Sequence, residues 1–311
     1  MEKKLLIAVD GSPSSLRAVD YVGLMEGDRI AELKVTLFTV MPGIPEFLRH
    51  EAQADPQAYK RLRTLEDRNH QEAQAVLAKA RTRLLGHGLA QEQVEVKAHP
   101  RLADIAHDIL FQAEQGLYDA VVLGRRGLTK TQELFVGSVT NQVVQHAQRT
   151  PVWVVDGRVA SLKVLCAVDG SEGSLKAVDH MAFMLGGNPQ CRVTIFHVGL
   201  SLGSFCPVDF SPEARADMQA ALERSDQRCM QDFFSQARQA LEEGGLEPDQ
   251  VDYFSGEKAL SVSAAVLRAA REGGYGTVVL GRSGQNRSRF LGHVSDKVMA
   301  GGEDLAVWVV G

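Results

Sequence analysis

Five short apolar runs punctuate the first half of the chain: KKLLIAV (3–9), KVTLFTV (34–40), VEVKA (94–98), AVVLG (120–124) and VWVV (152–155). They are apolar almost throughout instead of alternating, the pattern of strands buried on both faces of a parallel sheet. Between them lie stretches with helical spacing: SSLRAVDYVGLM (14–25), a long segment near 60–86, RLADIAHDILFQAEQ (101–115) and SVTNQVVQHAQ (138–148). Thr150-Pro151 ends the last of these before the fifth strand. Strand–helix alternation of this kind predicts an open parallel sheet with helices on both faces and right-handed crossovers.

The pattern then repeats. KKLLIAVDGSPSSLRAVDYV (3–22) returns as LKVLCAVDGSEGSLKAVDHM (162–181), TLFTV (36–40) as TIFHV (194–198), VVLGRRG (121–127) as VVLGRSG (278–284), and VWVV (152–155) as VWVV (307–310). The offset shrinks from 159 at Asp10/Asp169 to 155 at Trp153/Trp308, so the copies differ by small deletions in loops. A duplication follows: an α/β fold of two tandem Rossmann-like, doubly wound domains, residues 1–156 and 162–311, each with a five-stranded parallel sheet. The join, DGRVAS (156–161), is too short to let the halves drift far apart. The stretches 41–60 and 199–214, rich in Gly and Pro and poorly matched to each other, are expected to be irregular surface excursions of the kind that shape binding sites.

Composition narrows the partners. The chain has 311 residues, 44% hydrophobic and 23% charged, as in globular proteins that fold in water. A net charge of −5 gives no general attraction to nucleic acid. No apolar run reaches the length of a membrane span, and the N-terminus lacks a signal-peptide core, so a cytoplasmic protein is expected. The four cysteines, Cys166, Cys191, Cys206 and Cys229, form no CxxC pair, and the nine histidines no metal-ligand pattern. GLSLG (199–203) satisfies G-x-S-x-G, but Phe205, Pro207 and Pro212 follow where a nucleophile elbow needs a helix, so Ser201 is not taken as a nucleophile.

Candidate chemistry gathers after the fourth strand. In a doubly wound sheet, ligands bind beyond the carboxyl ends of the strands, where strand order reverses. Gly124 ends a strand at that edge, Gly127 extends the flexible surface, and Gly137-Ser138 opens a helix. Free N–H groups and the helix dipole make that start a site for anions, phosphates especially. Ser138 and Thr140 add hydroxyls, and Arg125, Arg126 and Lys130 positive charge. The alternative, plain turn glycines and an ordinary N-cap, stays open for each residue taken singly. Neither GxxxxGK[ST] nor GxGxxG occurs.

The spacing Gly124-x2-Gly127-x9-Gly137-Ser138 resembles the G-x2-G-x9-G-[ST] of nucleotide-binding universal stress proteins, in their tandem form. AVDGS at the first strand and HAQRTPVWVV at the last extend the likeness over practically the whole chain. The resemblance implies an adenine nucleotide alpha hydrolase-like fold, ATP with Mg²⁺ in the first domain, and a sensor or regulator of stress. It implies that Ala8, Val9 and Asp10 line base and ribose, with Asp10 also helping to hold the metal, and that Val40 meets the adenine edge. Leu123 and Gly124 would flank the ribose, and Gly127, Gly137, Ser138, Val139 and Thr140 the phosphates. It also implies that the fifth strands pair, here within one chain, with a further homodimer left open. In the second domain Asp169, Val198, Gly281 and Gly284 keep their places. Seven residues separate Gly284 from Gly292, and His293 stands at the serine position, so the second site is expected to be altered, with Ser295, Asn286, Arg287 and Arg289 as compensating groups. Two other readings remain: a slow ATPase or phosphotransferase, and a nucleotide-free scaffold binding a protein or apolar ligand through 41–60 and 199–214.

Overall fold

The five apolar runs of the first half and their four repeats all form strands, and the second half adds one more at Val251–Gly256. In the first half β1 (Lys3–Ala8), α1 (Pro13–Met25), β2 (Leu33–Met41), α2 (Glu46–Ala54), α3 (Pro56–Gly86), β3 (Val94–Pro100), α4 (Ile105–Gln115), β4 (Ala120–Gly124), α5 (Ser138–His146) and β5 (Val152–Val155) follow in order. The second half gives β6 (Lys163–Val168), α6 (Glu172–Leu185), β7 (Arg192–Val198), α7 (Pro212–Glu243), β8 (Val251–Gly256), α8 (Val262–Glu272), β9 (Thr277–Gly281), α9 (His293–Gly301) and β10 (Ala306–Val310). This computed structural model describes residues 2–26, 32–126, 136–199, 211–256, 259, 261–282 and 292–311. Gly127, Gly284, Asn286, Arg287, Arg289, Lys130, Ser201 and Cys206, all named above, lie outside the described residues.

The strands make one ten-stranded sheet in the order β3-β2-β1-β4-β5-β10-β9-β6-β7-β8. Each half is parallel and reverses direction of growth between its first and fourth strands, β1 and β4 or β6 and β9. The halves join where β5 and β10 run antiparallel, Trp153 opposite Trp308. The two VWVV segments therefore cover each other's edges. Strand residues alternate between two cores: Leu5 and Ile7 pack with α1, α3, α6 and α7, and Leu6 with α4, α5, α8 and α9.

The seam is sealed by aromatic and polar contacts. The Trp153 and Trp308 rings stack with centroids 3.7 Å apart. Trp308 Nε1 donates to Tyr21 Oη at 2.8 Å, and Trp153 Nε1 donates to His180 Nε2 at 3.1 Å, with residues 21 and 180 equivalent in the repeat. Each half also caps a helix of the other. Lys3 Nζ donates to Met184 O and Gly186 O at the end of α6, and Asn188 Nδ2 donates to Met25 O at the end of α1. Burial of the Lys3 ammonium lowers its pKa despite nearby carboxylates such as Glu26.

The stretch 41–60 differs from expectation, since most of it is helical: α2 and then the first turns of α3. Two of its three prolines, Pro45 and Pro56, occupy helix starts. Pro45 stands at the N-cap of α2 and Pro56 in the first turn of α3, where the missing N–H loses nothing, and Asp55 accepts from Gln57 N and Ala58 N. Only the second half of α3 packs inward, through Ala73, Leu77, Ala80 and Leu84; α7 does the same through Met230, Phe233, Ala237 and Leu241. The first halves stand beyond the carboxyl edge of the sheet.

Candidate functional site

Strand register brings the predicted residues of the first domain together. Ala8 pairs with Phe38, and Ile7 with Val122, so Ala8, Val9 and Asp10 emerge between Val40 at the end of β2 and Leu123-Gly124 at the end of β4. Val9 and Leu123 are buried, Ala8 and Val40 half-buried, and Asp10 exposed. Asp10 Oδ1 accepts the Ser12 N–H at 2.9 Å, which shapes the turn into α1, itself capped by Ser12 on Ser15 N.

Across this edge, Gly137 N donates to Arg125 O at 2.8 Å, which sets the start of α5 against the end of β4. Six of the nine helices among the described residues start on a Ser or Asp side chain that accepts a first-turn N–H. The starts of α5 and α9 are the two with glycine instead, Gly137 and Gly292, and no side-chain cap. Ser138 is exposed and Val139 half-buried, so the first-turn amides of α5 and the positive end of its dipole sit at the mouth of the cleft.

Three sequence readings change. Gly124 makes room for protein: a Cβ there would lie 2.5 Å from the backbone of Ser14 in α1. Thr140 is buried, with its hydroxyl donated to Gly124 O at 2.9 Å, and Ser295 does the same to Gly281 O at 2.9 Å. These hydroxyl protons fasten helix to strand and are not free for a phosphate. Arg125 does not line the cleft. Its buried guanidinium pairs with Asp156 of its own half and crosses the seam to Ala300 O and Gly302 O, and Arg282 correspondingly reaches Val144 O, Gln145 O and Ala147 O. Arg125 and Arg282 stand at equivalent places in VVLGRRG and VVLGRSG, the signal that a shared structural role was available to a sequence reading.

The second cleft is built differently. Asp169 Oδ1 accepts both Ser171 N and the Ser174 hydroxyl, the latter at 2.6 Å, whereas the equivalent Ser15 hydroxyl donates to Ser12 O. Val198 is buried, and Gly281 packs against Gly173 as Gly124 does against Ser14. Gly292 precedes α9, and His293, exposed, is its first residue. His197, missed in the sequence, is buried beside Val198. Its Nε2 lies 3.0 Å from Asp226 Oδ2 and its Nδ1 3.0 Å from Val168 O, which ties α7 to the sheet end. Among the described residues no group of three His, Cys, Asp or Glu side chains could hold a metal by itself, and no helix is long and apolar enough to cross a membrane.

Fold and site thus define a tandem α/β protein whose two doubly wound domains each present a glycine-capped helix at the strand-order switch. The universal stress protein family model matches residues 1–156 and 161–303, and the chain belongs to that family. The chain is 25% identical over 166 residues to universal stress protein YxiE of Bacillus subtilis (strain 168), covering 50% of this chain and 99% of that protein. The fold is similar to a solved universal stress protein from Archaeoglobus fulgidus DSM 4304, with a TM-score of 0.64 at 19% identity over 99% of this chain and 97% of that one. It is also similar to a functionally unknown protein from Pseudomonas aeruginosa PAO1, with a TM-score of 0.54 at 12% identity over 99% and 92%.

Proposed function

We propose that the first domain binds ATP with Mg²⁺ and that the protein acts in the cytoplasm as a nucleotide-dependent sensor or regulator of stress. The observation that carries this reading is the uncapped start of α5, held by the Gly137–Arg125 bond at the switch between β1 and β4. The amides of Ser138 and Val139 with the Ser138 hydroxyl suit a polyphosphate, while Ala8, Val9, Val40 and Leu123 offer an apolar floor for base and ribose. Asp10 fits the metal as one hard oxygen ligand at an exposed edge, with phosphates and water completing the shell. The ion would neutralise phosphate charge. Among the described residues Asp10 is the one carboxylate we assign to the cleft, and its tie to Ser12 N commits it to shape and ligand, so any hydrolysis is slow.

The test is calorimetric titration of the full chain with Mg·ATP. Gly137 has φ −57° and ψ 147°, open to any residue, so Gly137→Val obstructs the site without straining the backbone. Saturable binding that this change removes supports the proposal. Binding unaffected by Gly137→Val puts the nucleotide elsewhere, and no binding to the unaltered chain leaves a scaffold.

A further inference from the structure

We infer that the two clefts are mechanically linked: α5 and α9, the helices that open on them, are closed into a ring by Arg125 and Arg282. The inference rests on the ATP reading above. Arg125 O accepts Gly137 N, the cap of α5, while its guanidinium holds Ala300 O and Gly302 O at the far end of α9. Arg282 O accepts Gly292 N, the cap of α9, while its guanidinium holds Val144 O, Gln145 O and Ala147 O at the far end of α5. Following these bonds leads from the first cleft along Arg125 to α9, to the second cleft, and back through Arg282 to α5.

Each link is stiff. Both helices have nine residues, about 13 Å, and a helix this short moves as a rod, so a shift at one end is felt at the other. The guanidiniums are buried and satisfy last-turn carbonyls that would otherwise lack partners. A planar fork that meets several carbonyls resists sliding better than a single ammonium would. Both backbones are anchored alike: Arg125 N donates to Val155 O and Arg282 N to Val310 O, the strands on either side of the seam. A ligand that draws in the Ser138 and Val139 amides therefore pulls, through the Gly137–Arg125 bond, on the same residue that clamps α9.

Arg282 is accordingly a positioning residue for the first cleft although it belongs to the second domain and touches no group of that cleft. Coupling of this kind is reciprocal and typically worth about five- to 150-fold in affinity.

Hydrogen exchange of the full chain with and without saturating Mg·ATP tests it, read at the α9 amides 296–301. Expected is several-fold slower exchange in α9 on ATP addition, lost in Ser138→Glu, which blocks only the first cleft. Arg282→Lys is expected to bind ATP about tenfold more weakly. If Arg282→Lys fails to fold, the unaltered chain and Ser138→Glu decide alone. ATP binding with no change in α9 overturns the link, and so does an α9 response that persists in Ser138→Glu, since nucleotide would then sit on α9 itself. Absence of any ATP binding instead overturns the reading beneath it, and the link falls with it.

Discussion

His180 offers a test of the seam between the halves. The ring is buried, edge-on to both Trp153 and Trp308, and its Nε2 accepts the Trp153 indole N–H. That acceptor role needs the neutral ring, and burial pushes its pKa down to about 3 from the 6.5 usual for histidine. The unfolded chain takes up this proton below pH 6.5, while the folded chain refuses it until about pH 3. The stabilisation from the neutral ring is thus present above pH 6.5 and falls away as the solution is acidified through that window. At pH 5 the difference is 1.5 pH units on the unfolded side, about 2 kcal/mol relative to neutral pH. His180→Gln keeps an acceptor for Trp153 and removes the titration. Both tryptophans of the chain lie in this stack, so their fluorescence during urea unfolding reports the seam directly. The unaltered protein should lose about 2 kcal/mol more than His180→Gln between pH 7 and pH 5, with all other titrating groups common to the two. Equal losses would refute the assignment of a neutral, buried ring.

Other perturbations separate packing from binding. Gly124→Ala places a Cβ against the Ser14 backbone and should cost about 1–3 kcal/mol, read as a lowered thermal midpoint; undiminished stability would mean that the α1–β4 contact is not tight. Ser138→Glu should weaken ATP binding at least about tenfold, while an acid in the first turn of α5 leaves stability unchanged or raises it by about 0.3–1 kcal/mol. A loss of stability as large as the loss of binding would place the effect in folding. Arg125→Met strands the half-buried Asp156 carboxylate and the α9 carbonyls, and should lower unfolding free energy by about 3 kcal/mol in denaturant titration.

Much of this architecture was readable in the apolar pattern, because strands buried on both faces must be apolar throughout and the repeat doubles every signal. The pairing of the VWVV runs was expected from the family resemblance, and it hides two apolar edges. Residues 41–60 misled because Pro45 and Pro56 read as breakers, whereas at a helix start proline is favourable and only Asp55 as a cap hints at it. At the cleft, spacing located Gly124, Gly137 and Ser138, but it could not tell what each faces. Gly124 faces Ser14, and Thr140 faces a carbonyl, contacts between residues far apart in the chain. Arg125 was misplaced because charge near a phosphate motif suggests a ligand, and only the seam reveals carbonyl ends within its reach. His197 with Asp226 is a pairing across 29 residues that no local pattern announces.

On the reading proposed above, the amides at the start of α5 receive the phosphates of ATP. A crystal structure of the full chain grown with saturating Mg·ATP addresses it most directly. Phosphate oxygens are expected within hydrogen-bond distance of the Ser138 and Val139 amides, with the base lodged between Val9 and Val40. Solvent alone at those amides, or nucleotide lodged at another surface, would contradict it.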